Sequence, residues 1–246
     1  MITDLNKAIS LLKQSSHTSV FTGAGISVES GVPPFRGDNG LWNKYDPKVL
    51  DINYFHSYPL ESWKVIREMF YEFFERAKPN KAHEVLAQME KNKLLFAVIT
   101  QNIDNLHEEA GSKVVYEYHG NAQKLICTKC GKYYKLSEVD LNNLPPRCSH
   151  DNAILKPDFV FFGEPIPEKA REGSMIEAAN AEVFLIIGST GEVMPACFVP
   201  QVAKKNGAVI IEINPEESQF THSITDIYIK GKAAGKMKEI AKKLWE

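Results

Sequence analysis

Charge of one sign, long apolar runs and a dense cysteine framework are all missing from this sequence. Lys and Arg number 29 against 31 Asp and Glu, a formal net charge of -2, so bulk charge predicts no surface for duplex nucleic acid. No apolar run approaches the ~18 residues of a membrane span. The segment Met1 to Lys13 breaks its apolar residues with Asp4, Lys7 and Lys13 and has no signal-peptide core. A cytoplasmic setting is the expectation. The 4 cysteines are too sparse for a disulfide scaffold: Cys127, Cys130 and Cys148 lie close together and Cys197 stands alone. Internal repeats and low-complexity tracts are also lacking.

What is present is an ordinary globular composition, 43% hydrophobic and 24% charged over 246 residues. That length suits one large domain, or one domain carrying insertions. Apolar spacing predicts helices over 4–15, 59–77, 81–92, 168–180, 195–205 and 233–245. The 59–77 segment is unusually aromatic, with Trp63, Phe70, Tyr71, Phe73 and Phe74. Compact apolar runs predict strands at Thr18–Thr22, Leu94–Thr100, Val114–Tyr118, Phe159–Phe162, Val183–Ile187 and Val209–Ile213. Strands alternating with helices imply a parallel α/β sheet. Residues 124–156 differ in character, being rich in Lys, Cys and Tyr with few apolar runs, and they read as an insertion with its own small core.

Ligands of open parallel sheets bind beyond the C-terminal ends of the strands. The first strand runs into Gly23-Ala24-Gly25-Ile26-Ser27, where small residues let backbone N–H groups approach a diphosphate. Val28 takes the place of the third glycine of the dinucleotide fingerprint, so alone this segment reads equally well as a tight turn. Other strand ends carry Gln101-Asn102-Ile103-Asp104, His119-Gly120-Asn121, Gly163-Glu164, Gly188-Ser189-Thr190 and Asn214-Pro215-Glu216. Small and polar side chains at so many strand ends suit a dinucleotide crevice. His119 titrates near neutrality and is the candidate general base. Asn102 and Asp104 are candidates to hold a ribose and orient a reacting group; a capped turn before a short helix at 105–110 is their bland alternative.

These segments, with Ser30-Gly31-Val32-Pro33, Phe35-Arg36-Gly37, Leu106-His107 and Phe162-Gly163-Glu164, closely resemble the sirtuins, in order from about residue 18 to 235. The resemblance implies a Rossmann-like sheet made of residues 1–29, 78–121 and 157–246. It also implies a cofactor loop with an inserted helical module over 30–77, and a small zinc-ribbon-like module over 122–156. It implies an NAD-dependent protein lysine deacylase, with NAD extended across the sheet. Ala24, Phe35, Arg36, Gln101 and Asn102 would surround ribose and nicotinamide, and Gly188, Ser189, Asn214 and Ala233 the diphosphate or adenosine. The acyl oxygen would attack C1′ and expel nicotinamide. His119 would act as base on the ribose hydroxyls, leaving free lysine and O-acyl-ADP-ribose. Val160, Phe161, Phe162 and Gly163 would pair with the substrate backbone as an added strand. The expected partner is an acylated lysine of a protein or peptide, with no nucleic acid or membrane, and the expected state is a monomer. A mono-ADP-ribosyltransferase and a non-catalytic NAD sensor are the alternatives.

Three departures from the sirtuin pattern matter. Structural zinc in such proteins is held by two Cys-x-x-Cys pairs, yet Cys148-Ser149-His150-Asp151 lacks the fourth cysteine. Cys127, Cys130 and Cys148 with Asp151 form the expected ligand set; a water, His150 or a metal-free module are the alternatives. Cys197 is assigned to the core. Pro34 replaces a polar residue before Phe35-Arg36-Gly37 and is expected to alter the nicotinamide pocket. Acid-acyl-preferring relatives carry Tyr-x-x-Arg where Ile66 and Met69 stand here, with Arg67 one step away. That apolar pair cannot bind a carboxylate, so poor desuccinylation and tolerance of acetyl or longer chains are expected, unless the two residues are simply helix core.

Overall fold

A computed structural model of the chain describes residues 4–37 and 40–246. Six strands form a parallel sheet: β1 (Thr18–Thr22), β2 (Ala97–Thr100), β3 (Val115–Glu117), β7 (Val183–Ile187), β8 (Val209–Asn214) and β9 (Ile227–Lys230). Their order is β3-β2-β1-β7-β8-β9, so the chain leaves the centre one way, returns, and leaves the other way. β1 is flanked by β2 and β7, with Thr22 level with Thr100 on one side and Ile187 on the other. Polar strand ends of β1, β2 and β7 are therefore brought side by side. Every residue of β1, β2 and β7 is buried, as parallel strands covered on both faces must be.

One face of this sheet packs against α1 (Asp4–Gln14), α5 (Lys81–Lys91) and α9 (Ala233–Leu244) through an aliphatic core that includes Leu12, Val20, Leu86, Leu185, Ile211 and Ile240. The other face packs on α7 (Glu168–Asn180) and α8 (Phe198–Lys205) around Phe21, Tyr118, Phe184 and Phe220. Cys197 is buried there, as expected. Pro200 falls in the first turn of α8, where its missing N–H costs no helical bond.

A second, antiparallel sheet has the order β5-β4-β6, from β4 (Gly120–Cys127), β5 (Tyr133–Lys135) and β6 (Leu155–Phe159). It shares an aromatic core with α2 (Ile52–Ser57), α3 (Pro59–Ile66) and the segment after it. That segment is one π-helical turn, Arg67–Tyr71, followed by α4 (Glu72–Phe74). Trp63 Nε1 donates to Leu155 O at 2.8 Å and Tyr71 Oη to Ala122 O at 3.1 Å, tying helices to the small sheet.

Several expected boundaries move. The helix over 59–77 is interrupted by the π turn and ends at Phe74. The strand expected at Phe159–Phe162 is displaced to Leu155–Phe159, where Leu155, Lys156, Pro157 and Phe159 pair with β4. Phe162 is instead a single bridge: its N–H donates to Leu50 O at 2.8 Å and its carbonyl accepts from Ile52 N at 3.0 Å. The helix expected from Pro195 begins at Phe198. β4 and β9 were not anticipated; the first starts immediately after His119, where Gly120 turns the chain at φ 73. A Cβ there would run into the carbonyl of Asp158, so the turn demands glycine. Among the described residues no helix is long and apolar enough to cross a membrane.

Candidate active site

The two glycines at the first strand end do something other than cradle a phosphate. Gly23 N–H donates to Ile187 O at 3.0 Å and Gly25 N–H to Gly188 O at 2.9 Å. A Cβ on Gly23 would lie 2.7 Å from Gly188 O, and one on Gly25 2.6 Å from Gly188 Cα. The glycines let two backbones touch where β1 and β7 leave the sheet. Those two N–H groups are spent within the protein.

Ala24, between them, lines an apolar pocket with Phe35, Asn102, Ile103 and Asp104. Asn102 is buried, and its Nδ2 donates to Gly23 O and Ser27 Oγ, both at 3.2 Å. Ser27 Oγ donates to Asp104 Oδ2 at 2.7 Å, while Asp104 Oδ1 accepts Leu106 N–H at 3.1 Å. Burial raises the Asp104 carboxyl above its usual range, against the Ser27 hydrogen bond. These contacts turn Asn102 so that its Nδ2 faces the β1 loop and its Oδ1 points the other way.

His119 follows β3 and is half-buried. Its Nδ1 lies 3.1 Å from Gln101 O. A carbonyl only accepts, so Nδ1 carries the proton and Nε2 keeps its lone pair. Burial lowers the imidazole pKa, with the Gln101 carbonyl working the other way, so the ring is neutral at pH 7. A neutral imidazole with a defined tautomer is what a general base requires. Gln101 also donates from Nε2 to Ser189 Oγ at 3.0 Å, and Ser189 O accepts Asn214 Nδ2 at 3.0 Å. The ends of β2, β7 and β8 are thus linked in one chain of hydrogen bonds.

Other expected residues are spread more widely. Thr190, Pro215 and Glu216 are exposed beyond the strand ends, and Glu216 pairs with Lys230 at 3.3 Å. Ala233 is buried at the start of α9, whose next N–H, on Ala234, is capped by Glu29 at 2.7 Å. Arg36 is an exposed loop cation whose Nε meets Glu192 at 2.9 Å. Pro33, not Pro34, lines the apolar pocket. Ile66 and Met69 are fully buried in the aromatic core, whereas the pocket takes Phe70 and Phe74 from the same segment. The π turn advances the helix out of its 3.6-residue phase, which straightforward counting from Trp63 misses. Along Val160–Gly163, Phe161 N–H goes to the Glu164 carboxylate at 2.8 Å, and Phe162 uses both backbone groups on Leu50 and Ile52. Phe162 and Gly163 are exposed, Val160 half-buried and Phe161 buried.

The four expected metal ligands do converge. The Sγ atoms of Cys127, Cys130 and Cys148 and a carboxylate oxygen of Asp151 all lie within 4.8 Å of one another. His150 is not in that group. Backbone N–H groups of Lys129 and Cys130 point at Cys127 Sγ, and that of His150 at Cys148 Sγ, each at 3.4 Å. Ala153 N–H and the neighbouring thiols hold the Asp151 carboxyl down to about 2. Three soft sulfurs and one hard oxygen at this spacing fit a tetrahedral zinc ion.

Residues 23–195 match the model of the Sir2 family. The chain belongs to that family. Among curated Sir2 relatives, NAD-dependent protein deacetylase 1 of Pyrobaculum aerophilum is 43% identical over 232 residues, covering 94% of this chain and 91% of the relative. NAD-dependent protein deacylase 2 of Archaeoglobus fulgidus is 42% identical over 249 residues, covering 99% and 97%. Of solved structures, a Sir2–p53 peptide–NAD+ complex superposes at TM-score 0.89 with 34% identity, covering 97% of this chain and 98% of that one. A Sir2 homolog–NAD complex gives TM-score 0.89 with 36% identity, covering 97% and 93%. Sirtuin membership and the Rossmann-like sheet with its cysteine module thus stand as expected.

Glu212, Lys156 and the Glu108–Glu117 pair were missed. For two of them a signal was available: Glu212 interrupts Val209–Asn214, and Lys156 interrupts Leu155–Phe159.

Proposed function

We propose that this chain is an NAD-dependent protein lysine deacylase acting on an acylated lysine of a peptide or protein, and releasing nicotinamide and O-acyl-ADP-ribose. The observation that carries the reading is the imidazole of His119, neutral, held by Gln101 O at 3.1 Å beside the strand-end crevice, with Nε2 unpartnered among the described residues. Bound NAD supplies an activated sugar carbon, C1′, from which nicotinamide departs. The protein's part is to hold the reacting groups in line and to move one proton. His119 Nε2 accepts that proton from a ribose hydroxyl, while Gln101 O steadies the charge that forms on the ring. Asn102 presents its Oδ1, and Ser27 and Asp104 keep it in place. Ala24, Phe35 and Ile103 exclude water from the pocket; Phe70 and Phe74 close its far wall.

Exposed Gly163 offers a contact for the substrate backbone beside Phe162, whose own backbone groups are taken by Leu50 and Ile52, and Arg36 is placed on the loop that would cover the cofactor. The strand ends at Gly188, Ser189, Thr190, Asn214, Pro215 and Glu216, together with Ala233, extend the crevice for the diphosphate and adenosine. Zinc held by Cys127, Cys130, Cys148 and Asp151 would cross-link the small sheet. The division into a cofactor domain (1–29, 78–121, 157–246), a loop and helical module (30–77) and a zinc module (122–156) accords with the separate aliphatic and aromatic cores. A monomer in the cytoplasm, free of nucleic acid and membrane, accords with the balanced charge and the free thiols.

Mass spectrometry of an acyl-lysine peptide incubated with NAD tests the reading. Freed lysine with O-acyl-ADP-ribose is expected; ADP-ribosylated protein without deacylation would overturn it. His119→Ala is expected to lower turnover by on the order of 10²–10⁴-fold while NAD binding survives.

A further inference from the structure

Glu212 is fully buried in the middle of an apolar strand. Its Oε1 accepts from Asn214 Nδ2 at 2.8 Å and from Ser218 Oγ at 2.5 Å. Its Oε2 accepts from Thr221 Oγ1 and from Thr225 Oγ1, both at 2.7 Å. The direction of these bonds is settled by the backbone. Ser218 Oγ receives Phe220 N–H at 3.0 Å, and Thr221 Oγ1 receives Ser218 N–H at 2.9 Å, which turns both hydroxyl protons toward the carboxylate. Among the described residues Glu212 has no cationic partner. A buried carboxylate satisfied by four donors alone is expensive to keep and needs a reason beyond packing.

The reason lies at Asn214. Its Nδ2 is shared between Glu212 Oε1 and Ser189 O, two atoms that can only accept. The amide therefore cannot flip. Its Oδ1, which accepts nothing among the described residues, is left to face outward at the end of β8. The same carboxylate fastens Ser218, Thr221 and Thr225, and so the loop that carries Pro215 and Glu216.

We propose that Glu212 is a positioning and specificity-determining residue for the adenosine half of the dinucleotide: it locks Asn214 so that a lone acceptor oxygen meets a sugar hydroxyl. A phosphate on that hydroxyl would bring only acceptor oxygens and negative charge against the Asn214 oxygen, above a buried carboxylate. A free hydroxyl is accepted and a phosphorylated one refused. The proposal rests on the reading that Asn214 lines the adenosine end of an NAD site.

The test compares wild type with Glu212→Gln, whose amide nitrogen replaces one of the two accepting oxygens and removes the charge. Calorimetry with ADP-ribose and with its 2′-phosphorylated form, and steady-state kinetics with NAD and NADP, provide the readouts. In the variant, KM for NAD and Kd for ADP-ribose are expected to rise about tenfold or more, and the preference for the unphosphorylated forms to shrink. KM for the acyl-lysine peptide is expected to hold within about twofold, which a general loss of structure would not allow. Unchanged affinity and preference in a folded variant would overturn this role, as would an equal rise in both KM values. If Glu212→Gln is recovered only unfolded, Ser218→Ala carries the test by stripping one donor from the oxygen that holds Asn214. Weaker ADP-ribose binding with unaltered peptide binding supports the role, and unaltered ADP-ribose binding overturns it. Wild-type protein that binds no ADP-ribose would sink the NAD reading as well, whereas normal wild-type binding beside an unaffected variant would sink this role alone.

Discussion

The two large cores of this molecule are made of different material. The one under α1, α5 and α9 is built from Ala, Val, Ile, Leu and Met, with no aromatic ring among its buried members. The one joining α2 and α3 to the antiparallel sheet is built from Phe55, Trp63, Phe70, Tyr71, Phe159 and Phe161, with two cysteines at its edge. Branched aliphatic side chains interdigitate between a helix layer and a parallel sheet, and hold the strand ends as a rigid platform. Rings on short, irregular elements need specific fastenings: Trp63 to Leu155 O, Tyr71 to Ala122 O, Lys156 to Glu164 at 2.9 Å. The platform fixes the chemistry, and the aromatic half shapes what reaches it.

Metal removal should separate the halves most sharply. Stripping zinc with a strong chelator is expected to unfold the 122–156 module while the platform persists, since structural zinc is worth on the order of 10 kcal/mol to such modules. Calorimetry would then show the platform's transition alone, with a smaller enthalpy, and an undisturbed transition would break the comparison. Leu185→Ala comes next. Fully buried in the aliphatic core, it should cost about 2–5 kcal/mol and lower the platform's transition selectively in the same experiment.

The smallest effect sits between the halves, where α6 (Leu106–Ala110) brings Glu108 beside Glu117. Burial, then the charge of Glu117, raises the Glu108 carboxyl to about 7. The unfolded group titrates near ~4.3, so the folded state holds the extra proton across the interval. Stability is therefore full below that unfolded value and falls as pH rises toward 7. Glu108→Gln is expected to raise the melting temperature at pH 8 by a few degrees and to leave it unchanged at pH 4.5. An equal shift at both pH values would refute the titration.

Much of the platform was legible because burial on two faces leaves its mark on composition: Val183–Ile187 and Val209–Asn214 are near-continuous apolar runs bounded by glycine or asparagine. His119, Asn102 and Gln101 were legible because they sit at strand ends. The antiparallel sheet was not. β4 begins at the glycine that ends the preceding loop, and β6 hides a lysine and an aspartate in a strand that pairs with β4 rather than with the parallel sheet. Gly23 and Gly25 are ambiguous for a related reason: a close backbone approach reads the same whether the other group belongs to a ligand or to Gly188. Asp151 was legible because it stands three residues after Cys148, where a Cys-x-x-Cys pair places its second ligand.

The π turn at Arg67–Tyr71 has an angular consequence. A regular helix advances about 100° per residue, so a chain shorter by one residue here would wind straight through. The ring of Phe74 would then swing by roughly that angle, away from the pocket it now walls. One residue of length, rather than any change of side chain, sets the width of the cleft on that side.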